Sequence, residues 1–186
     1  MTVYFETPGR SNTEDTASIA LKRAKELGIK NIVVASNTGY TARFFIDDHI
    51  NLTCVTHQSG FREPGCNEMS EEERVSLESQ GVKVLTTTHL FGNVERAVTN
   101  KFGGLYTGGI ISHTLRMFSQ GTKVAVEVAV MALDAGMIPY GEMIISVGGT
   151  SGGADTALVL LPAHSNNIFD TQILEILCKP LKPRKQ

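Results

Sequence analysis

Tryptophan is absent, and aromatic residues make up 6% of the 186-residue chain. Such scarcity argues against a protein that reads RNA or single-stranded nucleic acid by stacking bases on aromatic platforms. Excess charge is also missing. The formal net charge is −2, so no general attraction to nucleic acid or to an anionic membrane is expected. Cysteines number only three, at irregular spacing, which fits a reducing compartment better than a disulfide framework. No apolar run approaches the roughly 20 residues of a membrane helix, and no charged segment followed by a long apolar one precedes Val3-Tyr4-Phe5. A cytoplasmic protein is the expectation. With 41% hydrophobic and 19% charged residues, the chain has the composition of one folded domain spanning 1–186. The one charge asymmetry is a basic end, Lys179, Lys182, Arg184 and Lys185 without an acid. It reads as a solvated tail rather than a polyanion contact.

Periodicity supplies the fold class. Val3–Phe5 is a short strand, broken by Pro8-Gly9. Ser11-x-x-Glu14 has capping-box spacing, with Asn12 as a competing N-cap, and Ala17, Ala20, Leu21, Ala24 and Leu27 then share one helical face up to Gly28. Ile32–Ala35 is a continuous apolar run, as in a parallel strand covered on both faces. The pattern repeats with a helix around Ala42–Asp48, a strand at Leu52–Thr56, a polar helix capped by Ser70 and a strand at Val82–Leu85. Between Leu90 and Gly136 two or three helices follow in succession, the last, Val124–Ala135, apolar nearly all round and therefore buried. Strands at Met143–Val147, Ala157–Leu161 and Ile173–Cys178 close the chain without intervening helices, which suggests an antiparallel edge on an otherwise parallel sheet.

Three segments could carry chemistry. Ser36-Asn37-Thr38-Gly39-Tyr40-Thr41 lies between a buried strand and a predicted helix start. Strand ends of open α/β sheets hold ligands, and helix starts offer free N–H groups and about half a positive charge. Plain capping by Ser, Asn or Thr explains the same residues, and no Walker or GxGxxG pattern decides between the two. The glycine-rich turn Gly148–Asp155 can lie over a ligand. At the end of the third strand, His57 can hydrogen-bond, Phe61 can stack on a ring and Arg62 can meet a phosphate. Glu127 and Asp134, seven apart on the apolar helix, are buried acids that need partners; pairing with loop backbone or a base is the commoner outcome, catalysis the rarer. Cys54 and His57 have zinc-like spacing but point to opposite faces of a strand.

Two stretches resemble a known family. The run from Asn12-Thr13-Glu14 to Leu27-Gly28 and then Ile32–Arg43 looks like the start of the C-terminal α/β domain of pyruvate kinase. Gly141–Thr150 and Asp155-Thr156-Ala157 resemble its last hairpin. Thr56–Arg62, Val126-Glu127-Val128, Met131–Gly136 and Pro162-Ala163-His164 match the stand-alone microbial proteins called pyruvate kinase α/β-domain-like, over nearly the full length. The resemblance implies a three-layer α/β/α fold with a mostly parallel five-stranded core sheet and an antiparallel edge. It also implies an anion site at Ser36–Thr41, because the matching kinase loop helps hold a sugar-phosphate effector. Members of the stand-alone family are associated with flavin mononucleotide, FMN. On that basis Ser36, Asn37, Thr38, Gly39 and Thr41 would hold a phosphate. Thr56, His57, Gly60 and Phe61 would flank the ring or ribityl chain, and Gly148, Gly149, Thr150, Asp155 and Thr156 would close the far side. The barrel that carries kinase chemistry is not represented, and Asn37-Thr38 before Gly39 departs from the kinase's shorter Ser-Gly turn.

The expectation is therefore a domain that binds a phosphorylated small molecule, best guess FMN. A flavin-dependent oxidoreductase or phosphosugar enzyme is the first alternative, with His57, Glu127 and Asp134 as candidate proton donors. A regulatory, partner-binding module without turnover is the second. A homodimer is compatible with base rates for oligomers.

Overall fold

A computed structural model describes residues 1–182; Arg184 and Lys185 of the basic end lie outside the described residues. Seven strands form one mixed sheet in the order β1-β7-β6-β5-β2-β3-β4. They are β1 (Val3–Phe5), β2 (Asn31–Ala35), β3 (Asn51–Val55), β4 (Lys83–Leu85), β5 (Ile144–Gly148), β6 (Thr156–Leu161) and β7 (Gln172–Pro180). Two more strands than the expected core of five are present. Only β6 runs against its neighbours, so the antiparallel pairings lie on the β1–β7 side, as connections without helices require.

Helices cover both faces. Against one face pack α1 (Thr13–Leu27) and α2 (Glu71–Ser79), with Ala17, Ala20, Ala24 and Leu77 buried on Ile32, Val34, Cys54 and Val147. Against the other packs α5 (Gln120–Asp134), which buries Ala125, Val128, Ala129 and Ala132 on Val33, Val55, Ile144 and Leu158. Outside it lie α3 (Val94–Phe102) and α4 (Thr107–Arg116). Parallel strands buried on both faces explain the unbroken apolar runs of β2 and β5. No helix among the described residues is long and apolar enough to cross a membrane.

Several helix ends follow local chemistry, and two segments depart from the sequence expectation. Ser70 and Ser119 cap α2 and α5, accepting from the N–H groups of Glu73 (3.2 Å) and Thr122 (2.9 Å). Gly28 ends α1 in the left-handed region. The capping box expected at Ser11 is not formed, because a 3-10 turn over Arg10–Asn12 leads into α1. The helix expected around Ala42–Asp48 is only a 3-10 turn, Ala42–Phe45. Ile46 turns extended, and the Asp47 carboxylate accepts from the His49 N–H at 2.9 Å, a side-chain turn that competes with helix. Phe45 is fully buried and pins this short turn to the core.

Asp155 is buried at the start of β6 and belongs to this scaffold. Its carboxylate accepts from the Gly9 N–H at 3.0 Å and from the Thr156 hydroxyl at 2.9 Å, tying the β1–α1 connection to the sheet. Burial pushes its pKa above the ordinary aspartate value, against the hydrogen bonds that lower it.

Two outcomes follow for stability. Phe45→Ala empties a fully enclosed site and should cost about 3–5 kcal/mol in urea unfolding. Because the folded pKa of Asp155 is raised, its contribution is fully present below the ordinary aspartate pKa of about 3.9 and is lost as pH rises through the folded value. Wild type should therefore gain stability relative to Asp155→Asn as pH is lowered, measured as the difference in urea midpoints across pH.

Candidate functional site

The chain order places β2 between β3, reached by a crossover on the α1 face, and β5, reached by α5 on the opposite face. A crevice opens at such a point, beyond the carboxyl ends of the strands. Here it is a cleft of about 640 Å³. Its floor is Ala35-Ser36 and Val55-Thr56 at the ends of β2 and β3, extended by the Ser36 N–H to Val55 O and Thr56 N–H to Leu85 O bonds. Arg10 and the loop Gly149–Gly153 form one wall, and one side of α5 forms the other.

Nine of the fourteen expected site residues line this cleft: Ser36, Asn37, Thr38, Thr41, Thr56, His57, Phe61, Gly149 and Thr150. Arg62 joins them. Ser36 acts as a cap, since its hydroxyl accepts from the N–H groups of Thr41 (3.1 Å) and Ala42 (3.3 Å). Among the described residues, the N–H groups of Asn37, Thr38, Gly39 and Tyr40 form no hydrogen bond. The loop thus keeps free donors, while the four-residue turn behind it supplies little of the dipole a full helix would.

Five expected residues do not line the cleft. Gly39, at φ +86°, turns its open side away, where a Cβ would fall 2.2 Å from the Glu73 carboxylate; that carboxylate is fixed by an ion pair with Arg43. Gly60 closes the surface loop by donating to Cys66 O at 2.8 Å. Gly148 is the last residue of β5 and backs onto α5 at Gly121. Asp155 holds Gly9, and the Thr156 hydroxyl bonds Asp155 and Ser119. For Asp155 and Thr156, bonds inside the scaffold have consumed the groups that a ligand would need.

At the mouth, His57, Phe61 and His89 form an aromatic cluster, with ring centroids 3.9 Å apart for His57–Phe61 and 5.1 Å for Phe61–His89. His57 Nδ1 lies 2.5 Å from Glu68, whose second oxygen takes Arg62 at 2.8 Å. Burial lowers the pKa of His89, keeping it a neutral ring near pH 7. On α5, Lys123 pairs with Glu127, which also accepts the Phe91 N–H at 3.1 Å. Asp134 is elsewhere, at the far end of α5, accepting from His164 Nδ1 (2.9 Å) and the Ser165 N–H (3.2 Å).

Charge separates the cleft from the rest of the surface. Arg10, Arg62, Arg96, Arg116 and Lys123 line it, against the acids Glu68 and Glu127. Both acids are engaged, by Arg62 and His57 and by Lys123. Among the described residues Arg10, Arg96 and Arg116 have no carboxylate partner: Arg10 stacks on Tyr40 at 3.5 Å, and Arg116 donates to Gln120 (2.7 Å) and Ser112 (2.5 Å). Sequence reading missed Arg10, Glu68, His89, Arg96, Arg116, Gln120 and Lys123. Arg10 follows a strand end and was accessible to the strand-end rule; the cations of α3–α5 carry no local signature. No cluster of three or more His, Cys, Asp or Glu among the described residues is placed to hold a metal ion. Cys54 is buried beneath Ser36, and that burial pushes its thiol pKa up to about 12.

Two solved structures of pyruvate kinase from Cryptosporidium parvum resemble this chain. One is 18% identical over 81% of the chain and 23% of its own length, with a TM-score of 0.42. The other is 19% identical over 76% of the chain and 21% of its own length, with a TM-score of 0.38. The chain therefore spans less than a quarter of the length of either enzyme. The family model described as "Pyruvate kinase, alpha/beta domain" matches residues 14–160. The chain belongs to the pyruvate kinase alpha/beta domain family.

Proposed function

We propose that the cleft binds a phosphorylated small molecule, with FMN as the best candidate. The observation that carries this is the set of three guanidiniums, Arg10, Arg96 and Arg116, without carboxylate partners among the described residues around one cleft. Guanidinium and free backbone N–H groups are the donors a phosphate takes. The cleft volume of about 640 Å³ is of the size small-molecule sites have. The His57–Phe61–His89 cluster offers flat faces to a ring. A cytoplasmic setting agrees with three free cysteines, two of them buried.

The enzymatic alternative draws on His57. If Nδ1 donates to Glu68, Nε2 is left as a base, oriented by the carboxylate. Of the three candidate proton donors, Asp134 is removed by its position outside the cleft, and Glu127 is paired with Lys123 rather than placed in the His57–Phe61–His89 cluster that would face a ring. Turnover of a reduced nicotinamide by the FMN-loaded protein, lost in His57→Gln, would favour a flavin-dependent oxidoreductase over a binding module.

Titration of purified protein with FMN and with riboflavin is the direct test. Uptake of FMN, with flavin absorbance and weaker binding of riboflavin, is the expected result; failure to bind FMN, riboflavin or inorganic phosphate overturns the proposal. Arg116→Gln should weaken FMN and inorganic phosphate about ten- to hundredfold, the value of a charge-assisted hydrogen bond. Gly39→Ala should lower the unfolding temperature, because its Cβ meets Glu73 at a left-handed backbone, while leaving phosphate affinity nearly unchanged.

A further inference from the structure

We propose that Lys123 is a nucleophile that forms an imine with a phosphorylated aldehyde or ketone held in the cleft, with Glu127 as its proton carrier. The proposal rests on the phosphate-binding reading above and is independent of flavin.

Lys123 and Glu127 are each 5% exposed, yet both line the cleft. They stand one turn apart on α5 and pair with each other. Their neighbours on the helix are Val124, Val126, Val128 and Met131. Enclosing an ion pair costs hydration that its attraction need not return, and packed apolar residues often serve stability as well or better. Glu127 has a structural bond to the Phe91 N–H, but among the described residues Lys123 donates only to Glu127. Its ammonium lies 5.7 Å from the centre of the Phe91 ring, on the cleft side of α5.

The surroundings suit an amine nucleophile. Burial depresses the ammonium pKa of Lys123, and the charges of Arg116 and Arg96 push the same way, against the raising effect of Glu127. Desolvation and neighbouring cations are the two established means of freeing a lysine amine near neutral pH. The same two arginines, without carboxylate partners among the described residues, are placed to take the phosphate of a substrate whose carbonyl reaches Lys123. Glu127, adjacent to the amine, can accept the ammonium proton.

The step balances without a co-reactant. Glu127 takes a proton from the ammonium, and the amine attacks the carbonyl carbon, forming the N–C bond. Proton transfers through Glu127 convert the carbonyl oxygen to water, which leaves as the C–O bond breaks. Ammonium plus carbonyl becomes protonated imine plus water, and Glu127 returns to its carboxylate.

Borohydride trapping tests this. The full chain is incubated with dihydroxyacetone phosphate, or with dihydroxyacetone, and reduced; adducts are located by peptide mass spectrometry. Lys123 should be labelled ahead of the exposed Lys25 and Lys30, about ten- to hundredfold faster with the phosphorylated ketone than without phosphate, and inorganic phosphate should slow it. Lys123→Arg, which keeps the charge, should abolish that adduct. Glu127→Gln, which leaves the amine in place, should slow trapping about 100-fold; an unchanged rate in that variant removes Glu127 from the step. If dihydroxyacetone phosphate displaces inorganic phosphate yet Lys123 is labelled no faster than Lys25, the imine is refuted and the phosphate site stands. If neither phosphate compound binds, the phosphate site fails and the imine with it.

Discussion

A helix without a solvent face has to be enclosed, and α5 is such a helix. From Gly121 to Leu133 every residue except Val124 is buried. One side lies on β2, β5 and β6, through Ala125, Val128, Ala129 and Ala132 against Val33, Ile144 and Leu158. Apolar burial contributes roughly 25 cal/mol for each Å² withdrawn from water, so this is among the larger stabilising contacts in the molecule. It also sets the site. With α5 fixed across the sheet, its edge bearing Gln120, Lys123 and Glu127 forms a cleft wall, and the carboxyl ends of β2 and β3 form the floor.

The opposite face is held differently. There α1 is anchored by small residues, Ala17, Ala20 and Ala24, which let it lie close to the sheet. Its entry is fixed by Asp155, through the Gly9 N–H, and by Thr13, whose hydroxyl accepts from the Ala154 N–H at 3.1 Å. Gly153 packs so tightly here that a Cβ would lie 2.4 Å from the Arg10 Cα. Arg10 thereby reaches the cleft from the turn that follows β1, the strand at the far edge of the sheet. Polar groups expected to meet a ligand are in this way spent on positioning one that can.

The cleft combines a cationic interior with a mouth of flat rings, and the acids within it are already paired. Such an arrangement leaves Arg10, Arg96 and Arg116 without carboxylate partners among the described residues, beside backbone N–H groups that form no hydrogen bond. A phosphate bound there would be fixed by donors on both sides of the sheet, and its affinity would depend on keeping α1 and α5 in register across β2.

Much of the architecture was legible in the sequence because its causes are local. The apolar runs of β2 and β5, the alanine face of α1, the Ser70 cap and the largely apolar α5 each report burial or capping through spacing alone. The same holds for the floor of the cleft, since strand ends are readable and ligands gather there. Spacing misled where side chains compete for the backbone: Asp47 ended the turn after Ala42, and a 3-10 turn displaced the Ser11 cap. It was silent where distant segments meet. Nothing near Gly39 reveals Glu73, nothing near Asp155 reveals Gly9, and Arg96, Arg116 and Lys123 converge only once α3, α4 and α5 are packed. By itself the sequence determined most of the strands and helices and which strand ends form the floor of the cleft. Only the tertiary structure decided which polar groups are consumed by the scaffold and which remain free in the cleft, because a hydrogen bond or an ion pair is made by whatever the fold brings within 3 Å, at any separation along the chain.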